Sequence, residues 1–221
     1  MQHIPLHIRR LRLYTDKPFR HQGADLRRAI TAAFPDRAVL HNHQGDQFDY
    51  RSPRVRYVVL DRQPQLISFD EGLHVLEEIY RDGHTLSVGT QHYRITGTEL
   101  EDQIEHLGTA DHLVEYRSLT PWLGLNERNY AAFREIKTSE ERMDLLSRIL
   151  TGNYLSLCKA VDVVIKERLM TRVLSFRRVP LSHRGTSLLG LKVVFVSNML
   201  LPEGIGLGKL VSKGFGLMRS Q

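Results

Sequence analysis

The sequence predicts an α+β protein made of two tandem units, the second more compact than the first. Two observations predict this. Short runs of alternating apolar and polar residues are separated by segments of helical spacing, and this order begins twice along the chain. The chain has 221 residues with 41% hydrophobic content, enough for two small domains with packed cores. We expect the domains at residues 1–108 and 109–221.

The first half shows the strand–helix–strand–strand–helix–strand order of a ferredoxin-like unit. Ile4 to Tyr14 alternates and predicts a strand. The apolar spacing of Ala24 to Phe34, with Pro35 after it, predicts a helix. The remaining expected elements are a strand over Arg37 to His43, a hairpin of Val55 to Leu60 and Gln65 to Phe69 around Asp61 to Pro64, a helix over Glu71 to Arg81, and strands over Thr85 to Val88 and His92 to Leu100.

The second half repeats the beginning of this order and leaves little room for a second helix. The expected elements are a strand over His112 to Thr120, a partly helical loop over Trp122 to Glu135, a helix with Ser139 as its N-cap, long strands over Val163 to Arg177 and Ser187 to Met199, and a glycine-rich loop with a last strand. We therefore expect a compact ferredoxin-like unit here.

The charge is uneven along the chain. Residues 1–60 contain 11 Lys+Arg and 5 Asp+Glu, residues 61–150 contain 9 and 17, and residues 151–221 contain 11 and 3. If the basic ends meet, they form one positive surface suited to a nucleic acid; the alternative is two unrelated solvated faces. A sequence pI near 9.6 favours a nucleic-acid partner without choosing between RNA and DNA.

Composition excludes several classes of protein. The single cysteine, Cys158, excludes an intramolecular disulfide framework and a multi-cysteine zinc site, and its apolar helical neighbours predict a buried, inert thiol. No stretch approaches 18 consecutive apolar residues, so we expect no membrane span. The start of the chain lacks the apolar core of a signal peptide, and we expect a cytoplasmic protein.

Four glycines near the end of the chain form the pattern G-x-G-x5-G-x-G. They are Gly206, Gly208, Gly214 and Gly216, with Lys209 and Lys213 between them. Glycine lets a backbone approach another group closely, and two lysines point to an anion such as phosphate. Neither a Rossmann loop nor a P-loop is expected, because no helix fits after the glycines and no Gly-Lys-Ser/Thr sequence is present. The alternative is a flexible tail, or tight turns before a last strand.

The glycine pattern, with Ser212-Lys213-Gly214-Phe215-Gly216 inside it, resembles the signature of the RAMP superfamily of CRISPR-associated proteins. Within that superfamily the chain most resembles the Cas-six type of endoribonuclease, which cuts CRISPR precursor RNA within each repeat. The resemblance implies two RRM-like ferredoxin units in tandem and an RNA endonuclease. We expect this endonuclease to need no metal, because the sequence offers a pair of imidazoles and no convincing carboxylate cluster, and to need no cofactor. The resemblance also implies CRISPR repeat RNA as the partner, as precursor and as mature CRISPR RNA. Other Cas proteins of an effector complex and a second copy of the chain are left open as partners.

His41 and His43, in the sequence His41-Asn42-His43, are the candidate catalytic pair. On a strand their side chains would point to one face, about 6–7 Å apart from a rise of about 3.3 Å per residue. Such a pair can bracket a phosphodiester, with one imidazole taking a proton and the other giving one. Some members of the resembled group carry a catalytic His-x-His after their first helix, which attaches this role to these two residues.

Two alternatives stay open for the histidines: a zinc site with Asp46 or Asp49 as a further ligand, and a structural or RNA-contacting role. We expect no metal. Tyr50 is a further catalytic candidate, and Arg51 and Arg54 are candidates for contact with the phosphate. No catalytic lysine can be identified.

A second basic cluster is expected at the tip of the hairpin between the two long strands. It consists of Arg177, Arg178, His183 and Arg184. A basic hairpin can contact an RNA backbone or groove; the alternative is an exposed, solvated turn.

Trp122 and Tyr130 are candidates for stacking on bases, although a single tryptophan after a proline is more often buried. Together these features favour a metal-independent endoribonuclease that forms a 2′,3′-cyclic phosphate. The competing classes are a non-catalytic RNA-binding subunit of a CRISPR ribonucleoprotein complex and a basic DNA-binding protein.

Overall fold

The computed structural model describes residues 3–41, 43–44, 47–48, 54–69, 72–183 and 185–221, with backbone alone at 38, 41, 43, 44, 47, 48 and 183. The helices in this part of the chain are α1 (Gly23–Ala33), α2 (Ala38–His41), α3 (Leu73–Asp82), α4 (Glu127–Glu135) and α5 (Ser139–Ala160). The strands are β1 (His3–Thr15), β2 (His43–Gln44), β3 (Gln47–Phe48), β4 (Val55–Leu60), β5 (Gln63–Phe69), β6 (Thr85–Val88), β7 (Gln91–Ser118), β8 (Thr171–His183), β9 (Thr186–Leu200) and β10 (Met218–Ser220).

One compact unit, called here the N-terminal unit, comprises Leu6–Glu105 and Ser212–Gly214. Its strands follow the order β4-β5-β1-β7, and β6 pairs with the start of β7. β5 is antiparallel to both β1 and β4. With α1 after β1 and α3 after β5, this is the predicted ferredoxin-like unit.

The core of the N-terminal unit lies between its sheet and its helices. Leu11 and Leu13 alternate with polar residues along β1 and are completely buried. They share one apolar cluster with Leu26 and Ile30 of α1 and with Leu76 and Ile79 of α3. Full burial of such a side chain stabilises the fold by about 1.5–3 kcal/mol. The apolar periodicity of the sequence therefore fixes which face of each element packs inward.

The β4–β5 hairpin turns at Asp61 and Arg62, in a loop two residues shorter than the predicted Asp61 to Pro64. Both residues have positive φ values, +50° and +63°, as a two-residue type I′ turn requires. Pro64 consequently lies inside β5, opposite Val59.

The other compact unit, called here the C-terminal unit, comprises His106–Val211, Phe215–Gln221 and the residues up to Pro5. Its strands follow the order β10-β7-β9-β8, and α5 packs against β8. This strand order is again ferredoxin-like, with the glycine-rich segment where a second helix would stand in the chain. The structure confirms a compact second unit that ends in a glycine-rich loop and a last strand. The domain boundary after residue 108 stays a prediction.

β7 is one long strand where the sequence predicts two. Its pairing with β9 shifts between Thr109, opposite Met199, and Val114, opposite Ser197. Five steps along β7 thus face two along β9, which is a β-bulge, and β7 continues through it.

The elements around α5 begin and end at other residues than predicted. The N-cap is Thr138, whose hydroxyl accepts a bond from the Glu141 amide at 3.3 Å. After the helix, Val163 N–H donates to Cys158 O at 2.8 Å, so Val163 closes the helix end and β8 begins only at Thr171. Cys158 is buried, as predicted, and burial raises the pKa of its thiol to about 11.

Candidate functional site

The segment that carries the candidate histidines is a short helix followed by a two-residue strand. α2 ends at His41, and β2 begins at His43 and pairs with β3. The predicted strand over Arg37 to His43 is therefore wrong, and a spacing derived from the rise of one strand does not apply. The apolar run before His41 fits a helical turn as well as a strand, and Leu40 N–H closes such a turn by donating to Arg37 O at 3.0 Å.

Leu40 and Tyr57 anchor this segment to the N-terminal unit. The Leu40 side chain is buried in the core, and the Tyr57 hydroxyl donates a hydrogen bond to Leu40 O at 3.1 Å. Burial raises the pKa of Tyr57, and only the charge of Arg27 acts in the other direction. Tyr57 therefore stays a neutral donor and holds the residue that precedes His41.

Several predicted site residues lie outside the described part of the chain. Tyr50, Arg51, Asp46, Asp49 and Arg184 are among them, as are the side chains of His41, His43 and His183. Among the side chains that the structure describes, no three histidine, cysteine, aspartate or glutamate residues are grouped so that they could hold a metal ion.

Arg54 and Arg56 lie beside one aromatic ring. The Arg54 guanidinium lies 5.5 Å from the centroid of the Phe69 ring, and the Arg56 guanidinium lies 4.7 Å from it. Arg56 is completely buried, and this burial, reinforced by the charge of Arg54, lowers the pKa of Arg56 to about 9. Arg56 is not among the predicted site residues, although a charged residue inside the apolar run Val55–Leu60 is a signal for it.

The first part of the glycine-rich loop folds back on the chain. Gly206 and Leu217 form an isolated antiparallel bridge, and Leu207 N–H donates to Gly216 O at 2.9 Å. Gly216 N–H in turn donates to Pro121 O at 2.9 Å. The amides of Leu207 and Gly216 are therefore engaged within the C-terminal unit.

Gly208 is required by close packing on Trp122. It has φ +90°, and a Cβ there would lie 2.8 Å from both Leu123 O and Trp122 Nε1. Trp122 is completely buried and donates its indole N–H to Asn153 Oδ1 at 3.0 Å. Trp122 is thus part of the core, while the neighbouring Lys209 is exposed.

The last part of the loop reaches Tyr57 within the N-terminal unit. Gly214 has φ +83°, and a Cβ there would lie 2.6 Å from Tyr57 O. A Cβ on Gly23, the first residue of α1, would clash with both Tyr57 O and Lys213 O. These contacts account for the glycines without a ligand, so contact between the loop and RNA stays a prediction.

Tyr57 therefore joins two of the predicted functional segments. Its carbonyl faces Gly214 of the glycine-rich loop, and its hydroxyl holds Leu40 beside His41. Tyr57 is not among the predicted site residues, because nothing in the local sequence distinguishes a tyrosine that joins two segments from any other tyrosine in an apolar strand.

The predicted basic hairpin tip is smaller than expected. β8 and β9 pair as far as His183 opposite Thr186, so the paired strands extend further toward the tip than predicted. Pro180 is accommodated inside β8 because β8 lies at the edge of the sheet order.

Arg177 and Arg178 accordingly lie on β8 and not at the tip. Both are exposed. The Arg178 guanidinium lies 5.2 Å from the centroid of the Phe133 ring of α4. Arg177 is opposite Lys192, and burial together with the Arg177 charge lowers the pKa of Lys192.

Arginines of β1 are neutralised by carboxylates of β7 in the N-terminal unit. Arg9 Nε donates to Asp102 at 2.8 Å, and Arg12 donates to Glu99 at 2.8 Å and to Glu101 at 2.9 Å. Part of the positive charge of the first segment is thus balanced by the acidic middle segment and does not add to a positive surface.

Two family models match the chain, one after the other. The model of the Cas6b N-terminal domain matches residues 4–106, and the model of the Cas6b C-terminal domain matches residues 108–221. The chain belongs to the Cas6b family. The Cas-six resemblance derived from the glycine-rich loop is thereby confirmed.

Solved structures of other proteins match this chain over nearly its whole length. A crystal structure of Cas6b matches with a TM-score of 0.88 and 25% identity over 99% of this chain and 100% of that one. The crystal structure of a CRISPR RNA processing endoribonuclease Cas6b matches with a TM-score of 0.75 and 23% identity over 99% and 100%. The uncharacterized protein MJ0978 of Methanocaldococcus jannaschii is 31% identical over 139 residues, which are 63% of this chain and 94% of that protein.

The helices of this Cas6b chain include none that could span a membrane, as far as the described residues extend.

Proposed function

We propose that this Cas6b chain is a metal-independent endoribonuclease that cleaves CRISPR precursor RNA within its repeats. The observation that supports this most directly is the match of both Cas6b domain models over nearly the whole chain. The repeat RNA is the partner; other Cas proteins and a second copy of the chain stay predictions.

The proposed reaction is attack of a ribose 2′-hydroxyl on the adjacent phosphorus. One imidazole of His41 and His43 takes the 2′-hydroxyl proton, and the other gives a proton to the 5′-oxygen as its bond to phosphorus breaks. The products are a 2′,3′-cyclic phosphate and a 5′-hydroxyl. General acid and base catalysis of this kind contributes typically about 10²–10⁴-fold each, and Tyr50 is a further candidate for the same site.

The RNA backbone is bound by cations that follow this segment in the chain and by cations of the second half of the chain. The proposed contacts are Arg51, Arg54, Arg177, Arg178, Arg184 and the glycine-rich loop with Lys209 and Lys213. Tyr57 supports a shared role for two of these regions, because it holds both Leu40 and Gly214. The glycines allow this packing, while the lysines supply the charge that attracts phosphate.

The test is cleavage of a repeat RNA in excess EDTA, compared with the same RNA carrying one 2′-deoxy residue at the cut site. We expect EDTA to leave the rate unchanged and the deoxy residue to abolish cleavage with little loss of affinity. Activity lost on chelation and restored by magnesium or zinc contradicts the metal-independent mechanism. Tight binding of the unmodified RNA without cleavage favours the non-catalytic RNA-binding subunit instead.

A further inference from the structure

The C-terminal unit contains a groove that the proposed chemistry does not use. It encloses about 590 Å³ and lies between the start of α4, the β8–β9 hairpin and the glycine-rich loop. Leu188, Leu189 and Leu210 supply apolar surface, and Tyr130, Lys209 and Glu127 supply an aromatic ring and two opposite charges. A groove of this size accommodates a small planar group.

Tyr130 is the aromatic residue of this groove. Its side chain is 41% exposed on the first turn of α4, whereas the other stacking candidate, Trp122, is completely buried. A tyrosine ring can stack on any nucleobase, because every base has a π-face. Of the two aromatic candidates in the sequence, only Tyr130 is accessible for stacking.

Leu210 lines the groove with a strained backbone. Its φ is +57°, in the left-handed region that side chains other than glycine rarely adopt. Glycine fills the positive-φ positions on either side of it, Gly208 and Gly214. A leucine at such a position is costly unless its side chain is used, and strain of this kind clusters at ligand sites.

The charges of the groove fit a nucleobase better than a run of phosphates. Lys209 can neutralise one phosphate, but the Glu127 carboxylate would repel a second. A carboxylate can accept hydrogen bonds from the exocyclic amine of adenine, cytosine or guanine, and uracil has no such amine.

We propose that this groove binds one unpaired base of the RNA. The base stacks on Tyr130 against the leucines, its exocyclic amine bonds to Glu127, and its phosphate lies at Lys209. The identity of the RNA rests on the proposed function, whereas the groove itself does not. The occupant is a single-stranded nucleotide within or beside the repeat, and we expect a base with an amine in preference to uracil.

The experiment measures the affinity of a repeat RNA that a 2′-deoxy residue at the cut site makes uncleavable. Each unpaired position is replaced in turn by an abasic nucleotide, and the series is measured with the original chain, Tyr130→Ala and Tyr130→Phe. We expect one position whose abasic form binds about 5- to 150-fold more weakly, which corresponds to about 1–3 kcal/mol for one stacked base. Tyr130→Ala should lose as much with the intact RNA and nothing further with that abasic RNA, and Tyr130→Phe should keep the affinity.

Tyr80→Ala is the matched control, since Tyr80 is 43% exposed on α3 of the N-terminal unit. It should leave every affinity unchanged. Leu210→Gly provides a second variant that relieves the positive φ, and it should weaken binding while circular dichroism stays that of the original chain. Uracil at the identified position should bind more weakly than cytosine.

Two results overturn the proposal. The first is that the loss of affinity caused by Tyr130→Ala adds to the loss caused by the abasic nucleotide at every position. The second is that Tyr130→Ala and Leu210→Gly both leave the affinity unchanged. A groove that instead serves a peptide of another protein gives that same unchanged affinity. If the original chain cleaves repeat RNA but no abasic position is coupled to Tyr130→Ala, only this inference fails. If it neither binds nor cleaves the RNA, the proposed function fails first.

Discussion

The hydroxyl of Tyr57 donates a hydrogen bond to the carbonyl oxygen of Leu40 at 3.1 Å, in a part of the core that both side chains share. Since Leu40 directly precedes His41, this one bond connects a rigid strand to the segment that carries the candidate catalytic residues.

Tyr57→Phe should slow cleavage more than it weakens RNA binding. The variant keeps the ring in the core but leaves the Leu40 carbonyl without this donor, which should destabilise the fold by about 1–3 kcal/mol. Urea unfolding measures the stability, and single-turnover kinetics with a separate binding assay measure the two functions.

Tyr116→Phe is the control for that experiment. Tyr116 donates a similar buried bond to Met199 O at 2.8 Å in the C-terminal unit, and its hydroxyl also accepts a bond from Leu201 N–H at 3.2 Å. The variant should lose at least as much stability without the loss in cleavage rate. Equal cleavage rates in the two variants would show that Tyr57 acts on stability alone.

His41→Ala and His43→Ala should each slow single-turnover cleavage by about 10²–10⁴-fold, the usual size of general acid–base catalysis. RNA affinity should change little, because the proposed role of both side chains is proton transfer and not attraction of the phosphate. His84→Ala removes an exposed histidine of the same unit and serves as the control. If both variants cleave at the original rate, catalysis lies elsewhere, and Tyr50 and His183 become the next candidates.

Gly214→Ala should destabilise the protein, while Gly152→Ala should stabilise it. At Gly214 the new Cβ would lie 2.6 Å from Tyr57 O at a φ of +83°, and the left-handed conformation alone costs about 1–2 kcal/mol. Gly152 lies in α5 with nothing within 4 Å of its Cβ position, so alanine should add about 0.5–1 kcal/mol. Thermal unfolding of both variants checks the two signs, and an unchanged stability of Gly214→Ala contradicts the close packing.

The sequence predicts those features of the fold that depend on local patterns. Local patterns predict α1, the β4–β5 hairpin and the buried Cys158, because each depends on residues that are close together in the chain. They fail at Ala38–His41, where a short apolar run fits a helix and a strand equally well.

The packing of the glycine-rich loop cannot be predicted from its local sequence. The pattern gives its place in the chain and the family, but its packing partners, Tyr57 and Trp122, are distant in sequence. A loop that packs on the chain itself and a loop that binds phosphate need the same glycines. The long pairing of β8 with β9, which places Arg177 and Arg178 inside a strand, is likewise a property of the pair and not of either segment.

Lys209→Ala with Lys213→Ala should weaken RNA binding and make its salt dependence shallower. The plot of log affinity against log salt should lose about 0.7 in slope per phosphate contact on a single strand, or about 0.9 on a duplex. Lys137→Ala with Lys166→Ala removes two exposed lysines outside the loop and should leave the slope unchanged. A well-folded loop variant with the original affinity and slope means that the loop is structural only.

Asp102→Asn should reduce the loss of stability in acid. Hydrogen bonding from Arg9, with that residue's charge, outweighs burial and holds the pKa of Asp102 below 3.8. Its folded-state pKa is thus below the unfolded value, so its contribution is present above pH 4 and is lost as the pH falls through the folded pKa.

Because Asp102 is 45% exposed, the effect should stay below about 1 kcal/mol. Urea midpoints at pH 7 and pH 3 measure it. Asp144→Asn, which removes an exposed carboxylate of α5, should retain the original difference between the two midpoints. If the difference between the urea midpoints at pH 7 and pH 3 is the same for Asp102→Asn and for the original chain, the coupling to Arg9 is contradicted.

The N-terminal unit takes three of its residues, Ser212–Gly214, from a point more than a hundred residues beyond Glu105. During synthesis at about 5–20 residues per second, these three follow Glu105 out of the ribosome about 5–20 s later. Until then, the backbone of Tyr57 and Gly23 lacks the strip of chain that packs on it. A fragment cut between the two matched domains at residue 107 would keep that surface uncovered permanently, so the first half should be recovered as a well-behaved protein only when the second half, or a peptide containing Ser212–Gly214, is supplied with it.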